Sequence, residues 1–555
     1  MGLPTTSVEG IAHAGDRSAG AALGGRGRDV LCGVLVTAAG AALYAWHTSP
    51  VVRYWDAAER ALAAAHFGVS HPTGCVLHAA IGKVFLTLVP LTPDYAAGLL
   101  SALGAALALG VMYAIARRLS DDRFLCVAST LVLATAALVW SQAVYSEAYA
   151  VHALFLAFFL FYYLRWLDGG HRRDLLAAAF LYAISLGVHV SGILLAPWIL
   201  IGVILRDRSI FRSPRFMAAV ALAIFLGMTW LGIIWIRGET YWMLGTDRRP
   251  DSWHRLMEFM SAKQFRPWAH NHDLPMQMKR AVGSFALLAY SFLGVGALVA
   301  VAGWMPALRR RPAFALLAGG GILTYVVYFS RLSTADVETL IQPCCLFIFL
   351  CMVLGWERLA ATARRRHAVH AALVLLVAAQ AFVFPVLSRQ AVGRVAQLPD
   401  GAAALDQPTP VRRFWEGVLK AEVSFHGNYQ PLQESLRLQN VLGRVPGRKV
   451  LMAPWAVQSV LEFYRATENW FPETRIYEQV YQRRFYPSDR GMAQETYNNP
   501  KDVVEDNIRS ASVFLLQEAG TDSLGYPYQP FGVFWLDHRP YHLVLLSEPA
   551  RPQRR

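Results

Sequence analysis

The sequence is poor in charge and in cysteine. Only 16% of its 555 residues are Asp, Glu, Lys or Arg, whereas 55% are hydrophobic. Soluble domains carry about 25% charged residues, so this balance excludes an ordinary soluble protein and is typical of a chain with many membrane helices. The six cysteines have neither the pattern of a disulfide framework nor the paired spacing of a zinc site.

Several signatures of soluble enzymes are also absent. No glycine-rich phosphate loop, nucleophile elbow or internal repeat of fixed period is present. The formal net charge of +14 does not indicate nucleic acid as a partner, because the arginines cluster between apolar runs. Arginines in that arrangement mark cytoplasmic loops under the positive-inside rule.

Apolar runs of about 17 to 25 residues recur within residues 30–389 and predict about eleven transmembrane helices. Arginine clusters, such as those that contain Arg117, Arg165 and Arg206, place the N-terminus in the cytoplasm and the C-terminus outside. Residues 1–29 are rich in glycine and alanine, and we interpret them as a disordered cytoplasmic tail. We therefore predict a polytopic α-helical protein of the plasma (inner) membrane.

The composition changes near residue 390, where polar residues become more frequent. Short apolar runs after this point predict strands, with one helix among them. The strands are expected at residues 449–452, 475–477, 513–517 and 541–546, and the helix at residues 455–466. We interpret residues 390–555 as a soluble, extracytoplasmic α/β domain.

The first outer loop, residues 49–94, holds the most informative stretch. Asp56 and Glu59 follow the first apolar run, so they emerge close to the membrane surface. A carboxylate at a helix centre in hydrocarbon costs about 2.5 to 3.5 kcal/mol, so this pair belongs in a watery or protein-lined site. Their spacing puts both on one face of a helix, which suits metal binding or acid–base chemistry. It equally suits a helix start in which Asp56 is the N-cap and Glu59 completes a capping box.

Two further outer segments follow. Residues 72–89 are apolar, but the arginines after the next helix require this segment to lie along the outer surface and not to cross the membrane. A second outer loop covers residues 237–280. Its aromatic residues are Tyr241, Trp242, Trp253 and Trp268. Such residues stack on sugars or form an interfacial belt, and we favour the belt.

Four motifs occur in a fixed order along the chain. They are Trp55-Asp-Ala-Ala-Glu59, then Gly68-Val-Ser-His-Pro-Thr-Gly74 with Gly82-Lys83, then Trp140-Ser-Gln-Ala-Val-Tyr-Ser-Glu-Ala-Tyr149, and Ser185-Leu-Gly-Val-His189. Together they resemble a broad membrane family whose animal member is a protein O-mannosyltransferase and which belongs to the GT-C glycosyltransferases. The family's first motif usually reads Asp-Ser-Gly-Glu, so the middle pair differs here while both acids are kept.

The resemblance implies transfer of a sugar, with mannose as the family's suggestion, from a polyprenyl-phosphate donor to an extracytoplasmic acceptor with inversion. The acceptor would be a protein, a lipid or a polysaccharide. In that reaction Asp56 would take the acceptor's proton and Glu59 would support it, while cations and hydrogen-bond donors would stabilise the leaving phosphate. The candidate substrate-binding residues are His71, Lys83, Glu147, Tyr149, His189, Arg237 and Arg331.

Several of these residues also have an ordinary structural interpretation. Lys83 suits a side chain that snorkels from an interfacial helix, and Glu147 suits a helix cap. Arg331 suits the flank of a membrane helix, and His189 suits a tight turn whose backbone carbonyls it satisfies. The sequence leaves both interpretations open.

Two groups of residues offer metal ligands. One joins His66, His71 and His78 to the acidic pair, and the other is His270-Asn-His272-Asp273. Neither has a recognised zinc spacing, so we expect no cofactor and do not favour a divalent metal.

A function from another class is a membrane transporter or a flippase for a lipid-linked substrate. Transporters place ionisable residues in the middle of helices and often contain inverted repeats. Here the carboxylates concentrate at outer helix ends and in loops, and no repeat is evident. A catalytically inactive scaffold is disfavoured because Asp56, Glu59 and His71 are all kept. The sequence thus favours a transferase.

Overall fold

The structure is a computed structural model. It describes residues 19–54, 56–237, 250–263, 273–332, 337–397, 430–471, 473–479, 483–488, 491–496, 499–518, 524–536 and 539–548. The chain forms a helical membrane part followed by a smaller domain that contains a β-sheet.

Apolar helices rich in alanine and leucine build the membrane part. In chain order they are α1 (Ala19–His47), α2 (Asp56–His66), α3 (Val76–Leu88), α4 (Pro93–Leu119), α5 (Arg123–Ala134), α6 (Ala137–Ala143), α7 (Ala148–Gly169), α8 (Arg172–Val188), α9 (Ala196–Arg206), α10 (Pro214–Gly227), α11 (Leu231–Arg237), α12 (Trp253–Met260), α13 (Leu274–Ser291), α14 (Val295–Arg310), α15 (Pro312–Ser330), α16 (Val337–Leu340), α17 (Cys344–Leu359) and α18 (Ala363–Gln397). Short 3₁₀-helices at Val190–Leu195 and Arg208–Arg212 flank α9. Large side chains such as Trp140, Trp166 and Phe159 are buried in one apolar core.

By length and composition, six of the described helices can cross a membrane, or eight segments if each of two bent helix pairs counts as one span. The bent pairs are α5 with α6 and α13 with α14. Three other predicted spans are also helical but short or broken, namely α8, the segment Val190–Arg206, and α17. The predicted helical membrane architecture is therefore confirmed, whereas about eleven spans are reached only if these shorter segments also cross.

Two predicted boundaries differ from the structure. Helix α1 begins at Ala19, because the alanines here favour a helix, so part of the predicted disordered tail is helical. Residues 1–18 of that tail lie outside the described residues. Helix α18 continues to Gln397, beyond the boundary predicted near residue 390, and residues 398–429 lie outside the described part.

The C-terminal domain has a five-stranded sheet and a separate two-stranded one. Its strands are β1 (Lys449–Ala453), β2 (Thr474–Glu478), β3 (Arg483–Ser488), β4 (Gly491–Thr496), β5 (Ser512–Glu518), β6 (Tyr528–Leu536) and β7 (Arg539–Leu546), and its helices are α19 (Gln430–Gly443), α20 (Trp455–Glu468) and α21 (Pro500–Asn507). The order in the large sheet is β2-β1-β5-β7-β6, with β1 parallel to both neighbours and β7 antiparallel to both of its own. The four predicted strands and the predicted helix are confirmed.

The interior strand β1 is buried along its whole length, as a parallel strand covered on both faces should be. Helices α19 and α20 contribute to the apolar cluster on one face, and α21 contributes to the cluster on the other. The first cluster continues into the membrane part, where Val457 and Leu461 of α20 join Ala58 and Leu62 of α2. The C-terminal domain therefore packs directly on the helix that carries Asp56 and Glu59.

Candidate active site

Helix α2 is short and almost entirely buried. Residues 57–64 are all buried, and the helix packs against α3 and α20. The close packing on α3 depends on Gly82, because a Cβ atom there would lie 2.6 Å from the Cβ of Ala64. Helix α3 has 13 residues, too few to cross a membrane, so it fits the prediction that this segment does not span. Both neighbours thus hold α2 in a fixed position.

Asp56 is the first residue of α2, and its carboxylate lies beside two basic groups. A guanidinium nitrogen of Arg60 donates to Asp56 Oδ2 over 3.3 Å, and His71 Nε2 lies 3.5 Å from the same oxygen. The side chain of Asp56 is 14% exposed, whereas that of Arg60 is 3% exposed. Asp56 is therefore an accessible carboxylate at the edge of a buried, charged cluster.

Glu59 is fully buried, and within the part of the chain that the structure describes His71 is the residue that bonds it. Its two carboxylate oxygens accept hydrogen bonds from the backbone N–H and from the Nδ1 of His71, each over 2.5 Å. Glu59 therefore fixes the His71 loop to α2, which the capping-box interpretation did not anticipate. The bond at Nδ1 also turns Nε2 of His71 towards Asp56.

The charges of this pair stabilise one another. Burial would raise the pKa of Glu59, but the charge of His71, its hydrogen bonds and the charge of Arg60 lower it below the ordinary value of 4.5. Burial would lower the pKa of His71, but Glu59 and Asp56 raise it above the ordinary value of 6.5. A negatively charged Glu59 and a positively charged His71 are therefore the favoured forms.

Arg60 is a central residue that the sequence analysis missed. It donates to Ser70 Oγ, bonds Asp56 and lies 3.2 Å from His71 Nε2. Burial opposes its charged form, but the neighbouring acidic groups, which include Asp56, Glu59 and Glu147, raise the pKa of Arg60. Its position four residues after Asp56, on the same helix face, is the signal by which it could have been found.

A tight turn after α2 positions His71. The N–H of Gly74 donates to the carbonyl of His71 over 2.7 Å, and Ser70 Oγ donates to the carbonyl of Gly74 over 2.8 Å. Gly74 has φ of +90°, a backbone conformation that glycine adopts without strain. The motif that contains Ser70, His71 and Gly74 therefore forms one wall of the site.

Glu147, Tyr149 and His189 form a second group near the cluster. Glu147 occupies the N-cap position of α7, as the cap interpretation predicts, but its side chain makes no capping hydrogen bond, and its charge acts on Arg60. The rings of Tyr149 and His189 are 4.8 Å apart. His189 Nδ1 accepts a hydrogen bond from the backbone N–H of Ser191 over 3.3 Å, so it also stabilises the turn at the end of α8.

Lys83 and Arg237 lie at the opposite end of α2 from Asp56. Lys83 donates to the carbonyl of Ala65 over 2.8 Å, and Arg237 donates to the carbonyls of His66 and Phe67 over 2.9 Å and 2.8 Å. Cations suit a helix C-terminus, where free carbonyls carry partial negative charge. An 11-residue helix spans about 16 Å, so the structure does not bring these two residues to Asp56.

Arg331 lies at the end of α15 and is exposed. The part of the chain that the structure describes gives its side chain no ion pair with the acidic cluster. Of the outer-loop aromatic residues, Trp253 is 65% exposed, whereas Tyr241, Trp242 and Trp268 lie outside the described residues. The interfacial belt that we favour for these rings stays a prediction.

The described residues contain one group with the composition of a metal site. One donor atom from each of Asp56, Glu59 and His71 lies within 4.8 Å of the others. The guanidinium of Arg60 already provides a cation beside Asp56, and it would repel a divalent ion there. Of the other predicted ligands, His66, His78 and Asp273 do not belong to this group, whereas His270 and His272 lie outside the described residues.

Comparisons with known proteins support the predicted class. Residues 56–211 match the family model of the N-terminal domain of the protein O-mannosyl-transferase TMEM260, a match that begins at Asp56 and includes His71 and His189. No curated protein matches the chain. Two crystal structures of ArnT from Cupriavidus metallidurans do match its fold, and the better superposition decides the architecture. For the apo form the TM-score is 0.56 at 14% identity, with 95% of this chain and 100% of that chain covered.

The chain has a GT-C fold. The structure of ArnT bound to undecaprenyl phosphate gives a TM-score of 0.55, also at 14% identity, and covers 94% of this chain and 99% of the other. The GT-C fold covers the C-terminal domain as well as the helices, because nearly the whole chain is superposed. Together with the family match, it confirms the prediction of a GT-C-type membrane glycosyltransferase.

Proposed function

We propose that this GT-C protein transfers a sugar from a polyprenyl-phosphate donor to an acceptor on the extracytoplasmic side, with Asp56 as the general base. One observation carries the assignment of the base. Asp56 is the partly exposed carboxylate of the cluster, whereas Glu59 is fully buried and bonded twice to His71. Of these two carboxylates, Asp56 is therefore the one placed to meet an acceptor hydroxyl.

The reaction requires a single base. The acceptor oxygen attacks the anomeric carbon as the bond from that carbon to the phosphate oxygen breaks, and Asp56 takes the hydroxyl proton. The products are the glycosylated acceptor and polyprenyl phosphate, and the anomeric configuration is inverted. Glu59 takes no proton in this scheme, since its role is to hold a charged His71 beside Asp56.

The leaving phosphate gains negative charge as the bond breaks and needs preorganised donors. Arg60 fits this need, because Ser70 and Asp56 already hold its guanidinium in place beside the partly exposed carboxylate. His71 adds a second positive charge on the same side of Asp56. We assign phosphate binding to these two residues ahead of Lys83 and Arg237.

A lipid-linked donor also needs an apolar surface beside the polar site. Helix α3 packs on α2 and exposes Val84 and Leu88, and Leu91 follows it on the surface. ArnT, which shares the fold, has been crystallised with undecaprenyl phosphate, and this supports a donor of that class. Mannose is the sugar suggested by TMEM260, and a protein, lipid or polysaccharide is the acceptor.

Sugar transfer by the purified protein tests the proposal. Polyprenyl-phosphate-mannose and polyprenyl-phosphate-glucose, each radiolabelled in the sugar, are incubated with protein in detergent and with a cell-envelope fraction as the source of acceptor. Asp56→Asn should lower the transfer rate by about 10²- to 10⁴-fold, the usual contribution of a general base. The matched control is Asp251→Asn, which changes an exposed aspartate on the outer loop.

The control should transfer sugar like the wild type. Retained transfer by Asp56→Asn would remove Asp56 as the base, and absence of transfer from either donor by the wild type would overturn the proposed reaction with these donors. Binding of the donor without transfer, with vectorial movement of the lipid across a bilayer, would favour the flippase instead.

A further inference from the structure

A groove of about 460 Å³ opens at one edge of the C-terminal sheet. It lies where the parallel strands β1, β2 and β5 begin, far along the chain from Asp56. Its lining is mostly polar and is rich in cations. The charged residues that line it are Arg448, Lys449, Arg465, Glu473 and Arg475. Four positive groups thus face one carboxylate.

Two of the four cations have structural duties. Lys449 is nearly buried, donates to the carbonyls of Val445 and Gly447 over 2.9 Å and 2.8 Å, and lies 3.5 Å from Glu473. Arg465 pairs with Glu462 on α20. Helices α20 and α21 also end near this groove, and cations are favourable at helix C-termini. Contacts within the domain therefore explain the positive charges of Lys449 and Arg465.

Such contacts do not explain the charges of the other two cations, Arg448 and Arg475. Arg448 and Arg475 are exposed, and the described part of the chain gives neither side chain a hydrogen bond or an ion pair. Their backbones are nevertheless fixed, because the carbonyl of Arg448 accepts from the N–H of Ser512 over 2.9 Å and Arg475 is paired with Val450 in the sheet. Two guanidinium groups that have no partner among the described residues thus lie at one opening, Arg475 on β2 and Arg448 directly before β1.

We propose that this groove binds a phosphate group. A guanidinium matches phosphate through two parallel N–H bonds, and Ser510 supplies a hydroxyl in the same lining. The phosphate belongs either to a lipid headgroup or to a soluble phosphoester, and the chemistry of recognition is the same. The groove contains no residue of the acidic cluster, so the proposal holds or fails independently of the transfer reaction.

Binding of phosphate to the full chain tests this. In the soluble arm, inorganic phosphate is titrated against the protein in detergent at low salt, and binding is measured by equilibrium dialysis with radiolabelled phosphate. In the lipid arm, the protein is placed in nanodiscs of phosphatidylcholine, either alone or mixed with phosphatidylglycerol. It is then released into detergent, and the lipid molecules that stay bound are counted by native mass spectrometry. The variant is the double change Arg448→Gln and Arg475→Gln.

The control variant, Arg444→Gln with Arg509→Gln, removes the same charge from exposed arginines of the same domain that do not line the groove. The groove variant should lose at least about tenfold in affinity, as expected for two lost charge-assisted bonds, while the control keeps wild-type binding. If the groove variant loses binding of inorganic phosphate, the ligand is a soluble phosphate. If it loses only the retained phosphatidylglycerol, the ligand is a lipid headgroup. No binding in either arm, unchanged binding by the groove variant, or equal loss in the control would overturn the proposal.

Discussion

The acidic cluster on α2 and the cationic groove of the C-terminal domain both concentrate charge, but they do so in opposite ways. In the cluster Glu59 is fully buried and Arg60 nearly so, and each charge has a partner of opposite sign within hydrogen-bond distance. In the groove Arg448 and Arg475 are exposed and have no partner among the described residues. The cluster thus pairs its charges within the protein, whereas the groove leaves two of its charges exposed.

The cost of desolvation explains this difference. A buried charge without a partner is expensive, so the charges of the cluster must compensate one another before any substrate arrives. An exposed guanidinium remains hydrated and can exchange water for a ligand at low cost. The cluster is therefore suited to preorganised chemistry, where each group is already oriented. The groove is suited to reversible binding.

The same substitution in both regions should separate them most clearly. Glu59→Gln leaves His71 buried without the carboxylate that bonds its Nδ1 and its backbone N–H, and breaking a buried pair costs about 3 to 5 kcal/mol. Glu473→Gln removes an exposed carboxylate that pairs with Lys449, and such pairs contribute about 0 to 1 kcal/mol. Thermal unfolding in detergent, followed by tryptophan fluorescence, should show a large loss of Tm for the first variant and little for the second. Equal losses would show that Glu59 and His71 are not a buried pair.

A substitution that keeps the charge tests the geometry of the cluster. Arg60→Lys retains the cation but cannot bond Ser70 and Asp56 from one planar group. Loss of a charge-assisted bond costs about 1.5 to 3 kcal/mol, so kcat should fall by about tenfold to a hundredfold with a smaller change in KM. The control is Arg255→Lys, a partly exposed residue paired with Asp251. A change in KM alone would mean that Arg60 binds the donor without aiding departure of the phosphate.

The acidic cluster was largely predictable from sequence, and its cation was not. Asp56, Glu59 and His71 stand in recognisable motifs, and the structure brings them together. Arg60 was missed because an arginine on a helix near the membrane reads as a topology signal, although its spacing from Asp56 was informative. Lys83 and Arg237 were expected at the phosphate, but the fold places them at the carboxyl end of α2, which no local pattern reveals.

Most of the architecture also followed from composition and periodicity, since apolar runs and buried strands are local signals. The groove did not, because Arg448, Arg465 and Arg475 come from separate elements and meet only when the parallel strands align. The packing of α20 on α2 was equally hidden, because it joins segments about 400 residues apart in the chain. Contacts between segments that are far apart in the chain are thus what could not be predicted from the sequence.

The titration of the cluster predicts how stability depends on pH. The folded-state pKa of His71 is raised, so its stabilisation is complete below the ordinary value of 6.5 and is lost as the pH rises through the higher folded value. That of Glu59 is lowered, so its stabilisation is present above 4.5 and is lost as the pH falls through the lower folded value. The Tm of the wild type should therefore exceed that of His71→Asn most at pH values between the folded-state pKa of Glu59 and that of His71. A difference that stays constant well above pH 6.5 would contradict a charged His71.

The smallest effect is expected from removal of divalent metal. Asp56, Glu59 and His71 have the composition of a metal site, but the guanidinium of Arg60 lies 3.3 Å from Asp56 and already neutralises part of its charge. A divalent ion in the same place would have to displace that guanidinium or accept its repulsion. Incubation with EDTA followed by gel filtration should therefore leave the rate of sugar transfer unchanged. The Arg60→Gln variant is the sharper case, because loss of its cation frees the three ligands, and added Mn²⁺ or Mg²⁺ should then bind more tightly than in the wild type. Loss of wild-type transfer with EDTA, restored by one of these ions, would show instead that the cluster needs a metal as well as Arg60, and that its charges are not complete without a ligand.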